Sequence, residues 1–130
     1  MFSDTLLDHF QSPRNAGEMA NADAEAEQEN PVCGDRLHLW LRVRRDRIES
    51  ASWQAQGCVP AVAAASLISE MISGMSLDEA LRLDRRAVEA ALGGLPPGKG
   101  HAATLAVSSV RSAIERYRSV GARQAAEEAS

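Results

Sequence analysis

Two cysteines, an aspartate and a histidine stand where distant segments of this 130-residue chain can converge. Cys33 and Asp35 flank Gly34, Cys58 follows Gly57 and shortly precedes Pro60, and His101 follows Pro96-Pro97-Gly98-Lys99-Gly100. Two thiolates, one carboxylate and one imidazole would complete a tetrahedral zinc shell or provide the four ligands of a two-iron cluster. In an extended stretch, residues two apart point to the same side within about 7 Å, so Cys33 and Asp35 can share one ion. Cys58 directly precedes a predicted helix, whose unpaired N–H groups favour an anion and are expected to lower the thiol pKa. His101 also opens a predicted helix, where the positive end of the dipole disfavours imidazolium and leaves the neutral ring that coordinates.

Spacing alone leaves other readings open, because the donors are scattered and no Cys-x-x-Cys pair is present. Cys33 and Cys58 can equally be small buried hydrophobes, with Asp35 stabilising a turn and His101 capping a helix. An enzyme with Cys58 as nucleophile and His101 as base lacks an orienting acid or an oxyanion motif. His9, on the first predicted helix, and His38, on the polar side of a strand, are assigned to packing or solvent and not to ligation.

The elements that would position these donors follow from periodicity. Phe2, Leu6, Leu7 and Phe10 recur at helical spacing behind Ser3, and Pro13, Asn15 and Gly17 stop the helix. Ala22 to Gln28 reads as an edge strand or a loop. Leu37, Leu39, Leu41 and Val43 alternate with Arg36, His38, Arg42 and Arg44 as in a half-buried strand, and Arg45-Asp46 reads as a turn. In Arg47 to Ala55 the apolar Ile48 and the set Ala51, Trp53, Ala55 fall on opposite parities, which predicts a bulge or an imperfect register in an antiparallel hairpin.

Downstream, Pro60 and Gly74 bracket a helix rich in small residues. Ser76 with Glu79 forms a capping box, and Asp84 caps a further helix ending at Gly93-Gly94. Leu95 to Gly100 is expected to be extended. A last helix from His101 carries the stripe Ala103, Val107, Val110, Ile114, Tyr117. The order predicts an α+β fold, a small antiparallel sheet with helices packed on one face, in one domain over 1–120 with a flexible tail at 121–130.

Composition narrows the classes of function. The 13.9 kDa chain is 45% apolar and 25% charged, ordinary for a soluble globular protein of one domain. Its net charge of -4 is uneven: residues 1–35 carry eight acids and one arginine, leaving +3 elsewhere, which does not favour nucleic acid. Arg36, Arg42, Arg44 and Arg45 read as a solvated strand face. No stretch approaches a membrane span and no signal-like segment opens the chain, so a cytoplasmic setting is expected, in which thiols serve as ligands more than as disulfides.

Four stretches occur in order: Leu6-Leu7-Asp8-His9-Phe10-Gln11-Ser12-Pro13-Arg14-Asn15-Ala16-Gly17; Asn30-Pro31-Val32-Cys33-Gly34-Asp35; Gly57-Cys58; and Leu95-Pro96-Pro97-Gly98-Lys99-Gly100-His101. Together they resemble the iron–sulfur cluster assembly scaffold family of the NifU N-terminal and IscU type, over Leu6 to Tyr117. The resemblance implies a non-enzymatic scaffold of that fold, binding iron, a [2Fe-2S] cluster or, as an alternative occupant, zinc. It matches Cys33 to the family's first ligand cysteine, Asp35 to its labile aspartate, Cys58 to its second cysteine and His101 to the histidine beside the third.

The third cysteine should follow His101, and Ala102 stands there instead. A methyl group neither binds metal nor accepts a persulfide, so the resemblance implies metal holding while putting de novo cluster building in doubt. It also implies a cysteine desulfurase as partner. An Hsp70-type chaperone would be recognised through Leu95 to Lys99, although Gly98 replaces the usual valine and raises the cost of ordering that peptide. The alternative is an interaction or regulatory module that docks a desulfurase or another assembly partner without building clusters.

Overall fold

The computed structural model describes residues 2–31 and 34–129, and side chains as far as Gly121. Helix α1 spans Asp4–Gln11, with the Leu6 N–H donating to the Ser3 hydroxyl at 3.0 Å. Ser3 also donates to the Leu92 carbonyl, tying the start of the chain to a later helix. Strands β1 (Ala24–Glu29), β2 (Arg36–Arg44) and β3 (Arg47–Gln56) form an antiparallel sheet in the order β1-β2-β3. The segment Ala22 to Gln28, ambiguous in sequence, thus contributes most of an edge strand.

Turn chemistry fixes the β2–β3 register. Arg44 pairs with Arg47, and the two residues between them, Arg45 and Asp46, have φ of 53° and 59°, as a two-residue type I′ turn requires. The expected bulge is present: Arg42 pairs with Ser50 but Val43 with Ile48, so Glu49 is the extra residue. It reverses the parity of β3, allowing both Ile48 and the Ala51, Trp53 pair to face the core.

Helices α2 (Val59–Ile72) and α5 (His101–Ala129) cover one face of the sheet, and α1 packs on α2. Leu37, Leu39, Leu41, Ala51 and Trp53 meet Ala61, Ala64, Ile68, Ala106, Val110 and Ile114 in one core. Small residues on α2 and α5 let both helices approach a sheet poor in aromatics. Short helices α3 (Leu77–Leu81) and α4 (Arg85–Ala91) begin at the expected caps, Ser76 with its Glu79 capping box and Asp84 on the Ala87 N–H. Helix α5 continues past Gly121, where the sequence suggests a tail.

On the other face of the sheet His38 lies 2.7 Å from Glu25 and stacks on Trp40 with ring centroids 3.9 Å apart. Stacking helps explain why Trp40 is buried despite sharing parity with His38 and Arg42. Arg36 pairs with Glu29 on β1.

The Leu95–Gly100 segment differs from the expected extended run. Lys99 N–H donates to the Pro96 carbonyl at 3.1 Å, and Gly98 has φ of +81°. Pro97 and Gly98 thus form the centre of a type II turn, a conformation a valine at position 98 would resist.

His9 is buried between α1 and α2, its Nδ1 2.8 Å from the Ser66 hydroxyl and its Nε2 3.5 Å from Glu70. Burial, aided by Arg14, pushes its pKa below the ordinary histidine value, against the opposing pull of Glu70 and Asp8. The unfolded chain therefore takes up a proton at a pH where the folded protein does not. This contribution to stability is complete above about pH 6.5 and is lost as pH falls through the depressed folded value. Urea midpoints measured across this range are expected to fall on acidification and to show a weaker dependence in His9→Gln.

Candidate metal centre

Register carries Asp35 and Cys58 to the same end of the sheet. Arg36 pairs with Gln56, so the residue preceding β2 lies beside the β3–α2 junction. The chain entering β2 is closed by Asn30 N–H to the Asp35 carbonyl at 2.8 Å and Gly34 N–H to the Asn30 carbonyl at 2.7 Å. Cys58 is the N-cap of α2, while the Pro96–Lys99 turn delivers His101 to the first position of α5.

Three predicted donors converge here. Asp35 Oδ2 lies 3.4 Å from Cys58 Sγ and 3.1 Å from His101 Nε2, and Sγ lies 3.9 Å from that nitrogen. Asp35 is 2% exposed, whereas Cys58 and His101 are partly open to solvent. Cys33, the fourth predicted donor, lies outside the described residues. His9 and His38 lie elsewhere, on the α1–α2 contact and the outer sheet face.

The chemistry and separations fit a single cation. Metal–ligand lengths of about 2.0–2.3 Å imply tetrahedral edges of about 3.3 to 3.6 Å, against which the observed 3.1 to 3.9 Å is close. Hydrogen bonds join the donors: the Cys58 thiol donates to Asp35 Oδ2, and the Cys58 N–H donates to Oδ1 at 3.1 Å.

Burial pushes the Cys58 thiol above its ordinary pKa, and Asp35 reinforces this; the Ala61 N–H and Lys99 act in the opposite direction. The sequence expectation of a lowered thiol pKa is therefore corrected. The helix N-terminus does favour thiolate, but desolvation and the adjacent carboxylate outweigh it.

The burial of Ala102 and the role of Gly57 were not legible in the sequence. Ala102 is a core residue, 1% exposed beside His101, and adds no donor. Gly57 gives the Asp35 carboxylate its space: a Cβ there would meet Oδ1 at 2.1 Å. Its adjacency to Cys58 was visible, but its φ and its distance from Asp35 were not.

The α+β fold, a three-stranded antiparallel sheet with helices on one face, is shared with the iron–sulfur cluster assembly scaffold family. The NifU-like N terminal domain family model matches residues 1–124, and the chain belongs to that family. Iron–sulfur cluster assembly scaffold protein IscU 1 of Archaeoglobus fulgidus is 44% identical over 117 residues, covering 90% of this chain and 76% of the relative. The IscU scaffold protein of Aquifex aeolicus is 35% identical over 118 residues, covering 89% and 75%. The crystal structure of a NifU-like N-terminal protein from Brucella abortus gives a TM-score of 0.73 at 18% identity, covering 90% of this chain and 94% of that one, a likeness of fold.

Proposed function

We propose that this scaffold-family chain holds iron, as an ion or a [2Fe-2S] cluster, through Cys33, Asp35, Cys58 and His101, with zinc as an alternative occupant. The observation that carries the reading is the convergence of Asp35, Cys58 and His101 within one ligand shell. The protein acts by holding cargo and not as an enzyme. Asp35, pinned through Oδ1, offers Oδ2; His101 offers Nε2; Cys58 gives up its proton and offers Sγ. Two thiolates and one carboxylate around a dication leave a formal charge of -1, which the N-terminus of α2 tolerates. A reducing cytoplasm suits this use of thiols, and among the described residues no helix is long and apolar enough to cross a membrane.

Ala102 withholds the thiol on which the family resemblance bases cluster ligation and sulfur receipt. In this reading the chain keeps or passes on a metal or cluster more readily than it builds one. A cysteine desulfurase is the proposed partner, and an Hsp70-type chaperone can engage the Leu95–Lys99 turn only by opening it. The second reading, a docking module without cargo, is favoured by Ala102 alone. Stoichiometric iron or zinc after anaerobic reconstitution supports the first; metal-free protein supports the second.

Proton release gives a further expected result. The protonated Cys58 thiol must ionise as it binds, so raising the pH strengthens apparent zinc affinity. Below the thiol pKa the gain is about tenfold per pH unit for each proton released. Competition titrations with a chelator of known pH dependence measure this slope, and a flat profile would remove Cys58 from the ligand set.

A further inference from the structure

We infer that Gly57 is a positioning residue for this centre: its missing side chain lets the Asp35 carboxylate dock on the Cys58 amide and present Oδ2 alone to the cation. The inference extends the metal-binding reading above to a residue that touches no metal. Gly57 has φ of +148°, and a Cβ at this position would lie 2.1 Å from Asp35 Oδ1, 2.7 Å from its Cγ and 3.0 Å from its Cβ. Rotating the carboxylate about its own axis relieves only the first contact, and a side chain 2% exposed has little space into which to withdraw. Gly34, Gly74 and Gly98 also have positive φ, but an added Cβ meets nothing within 4 Å at any of them. Gly57 is thus constrained by a proposed ligand as well as by its backbone.

Docking divides the labour between the two carboxylate oxygens. Oδ1 accepts the Cys58 N–H at 3.1 Å, while Oδ2 lies 3.1 Å from His101 Nε2 and 3.4 Å from Cys58 Sγ. Holding Oδ1 on the amide disfavours two-oxygen chelation, the mode large oxygen-binding cations use, and favours a single short bond in a four-coordinate shell. A partner held this way also orients the ligand before the cation arrives.

The test combines Gly57→Ala with Asp35→Ala and reads the protein with and without metal. In metal-free protein, the Cys58 amide proton is expected to move upfield in Gly57→Ala towards its position in Asp35→Ala. Cobalt(II), used as the probe, is expected to bind Gly57→Ala at least about tenfold more weakly with an altered d–d spectrum. In the Asp35→Ala background, Gly57→Ala is expected to change cobalt affinity by less than about twofold. An unmoved amide proton, or an equal loss in both backgrounds, overturns the inference. If Gly57→Ala alone does not fold, the inference requires the double variant to fold as Asp35→Ala does, and its failure to do so is equally contrary. Wild-type protein that takes up no cobalt contradicts the metal-binding reading, while the metal-free amide shift still decides the role of Gly57.

Discussion

Cys58→Ser is expected to lower iron or zinc affinity by at least about a hundredfold. Sγ is the one sulfur among the three assembled donors, and a serine hydroxyl remains protonated and neutral where a thiol ionises to bind. The replacement is close in shape and keeps the α2 N-cap position, so the fold should survive. Metal content after anaerobic reconstitution, alongside circular dichroism, separates loss of the ligand from loss of the structure. Retention of wild-type stoichiometry and affinity would mean that the cation lies elsewhere.

Ala102→Cys is the second large effect and works in the opposite direction. With a desulfurase, free cysteine as sulfur donor, ferrous iron and a thiol reductant to take the persulfide sulfur to sulfide, cluster formation on this variant is expected to exceed the wild-type rate by about an order of magnitude or more. The size follows from supplying a nucleophilic thiol where a methyl group offers no route for sulfur transfer. Ala102 is packed into the core at the start of α5, so the added sulfur must find room, at an overpacking cost of about 1–3 kcal/mol. Thermal melts therefore accompany the assay. A folded variant without desulfurase-dependent gain would leave the docking-module reading or a lost docking surface.

Much of the fold was legible because local chemistry and burial agreed. The parity clash of Ile48 with Ala51 and Trp53 announced the bulge at Glu49, and the Ser76–Glu79 and Asp84 caps marked two helix starts. Arg45-Asp46 was legible as a turn, although its positive φ values belong to the twist match of a tight hairpin. The Pro97-Gly98 turn was missed because proline suggested extension, whereas glycine after proline permits the chain to reverse. Trp40 gave no sign that His38 would stack on it.

The candidate site was legible as a set of donor types, and the family resemblance supplied their grouping. What remained hidden depended on distance. The rise in the Cys58 pKa requires knowing that Asp35 is beside it and that both are desolvated. Gly57 read as a simple connector because a glycine's role is set by what its absent side chain would strike, here a residue 22 positions away in sequence.

X-ray absorption fine structure of the zinc-loaded protein tests the central claim most directly. The account predicts sulfur at about 2.3 Å together with nitrogen and oxygen at about 2.0–2.1 Å in a four-coordinate shell, with the sulfur contribution reduced in Cys58→Ser. A shell of nitrogen and oxygen alone, or one unchanged by that substitution, would contradict it.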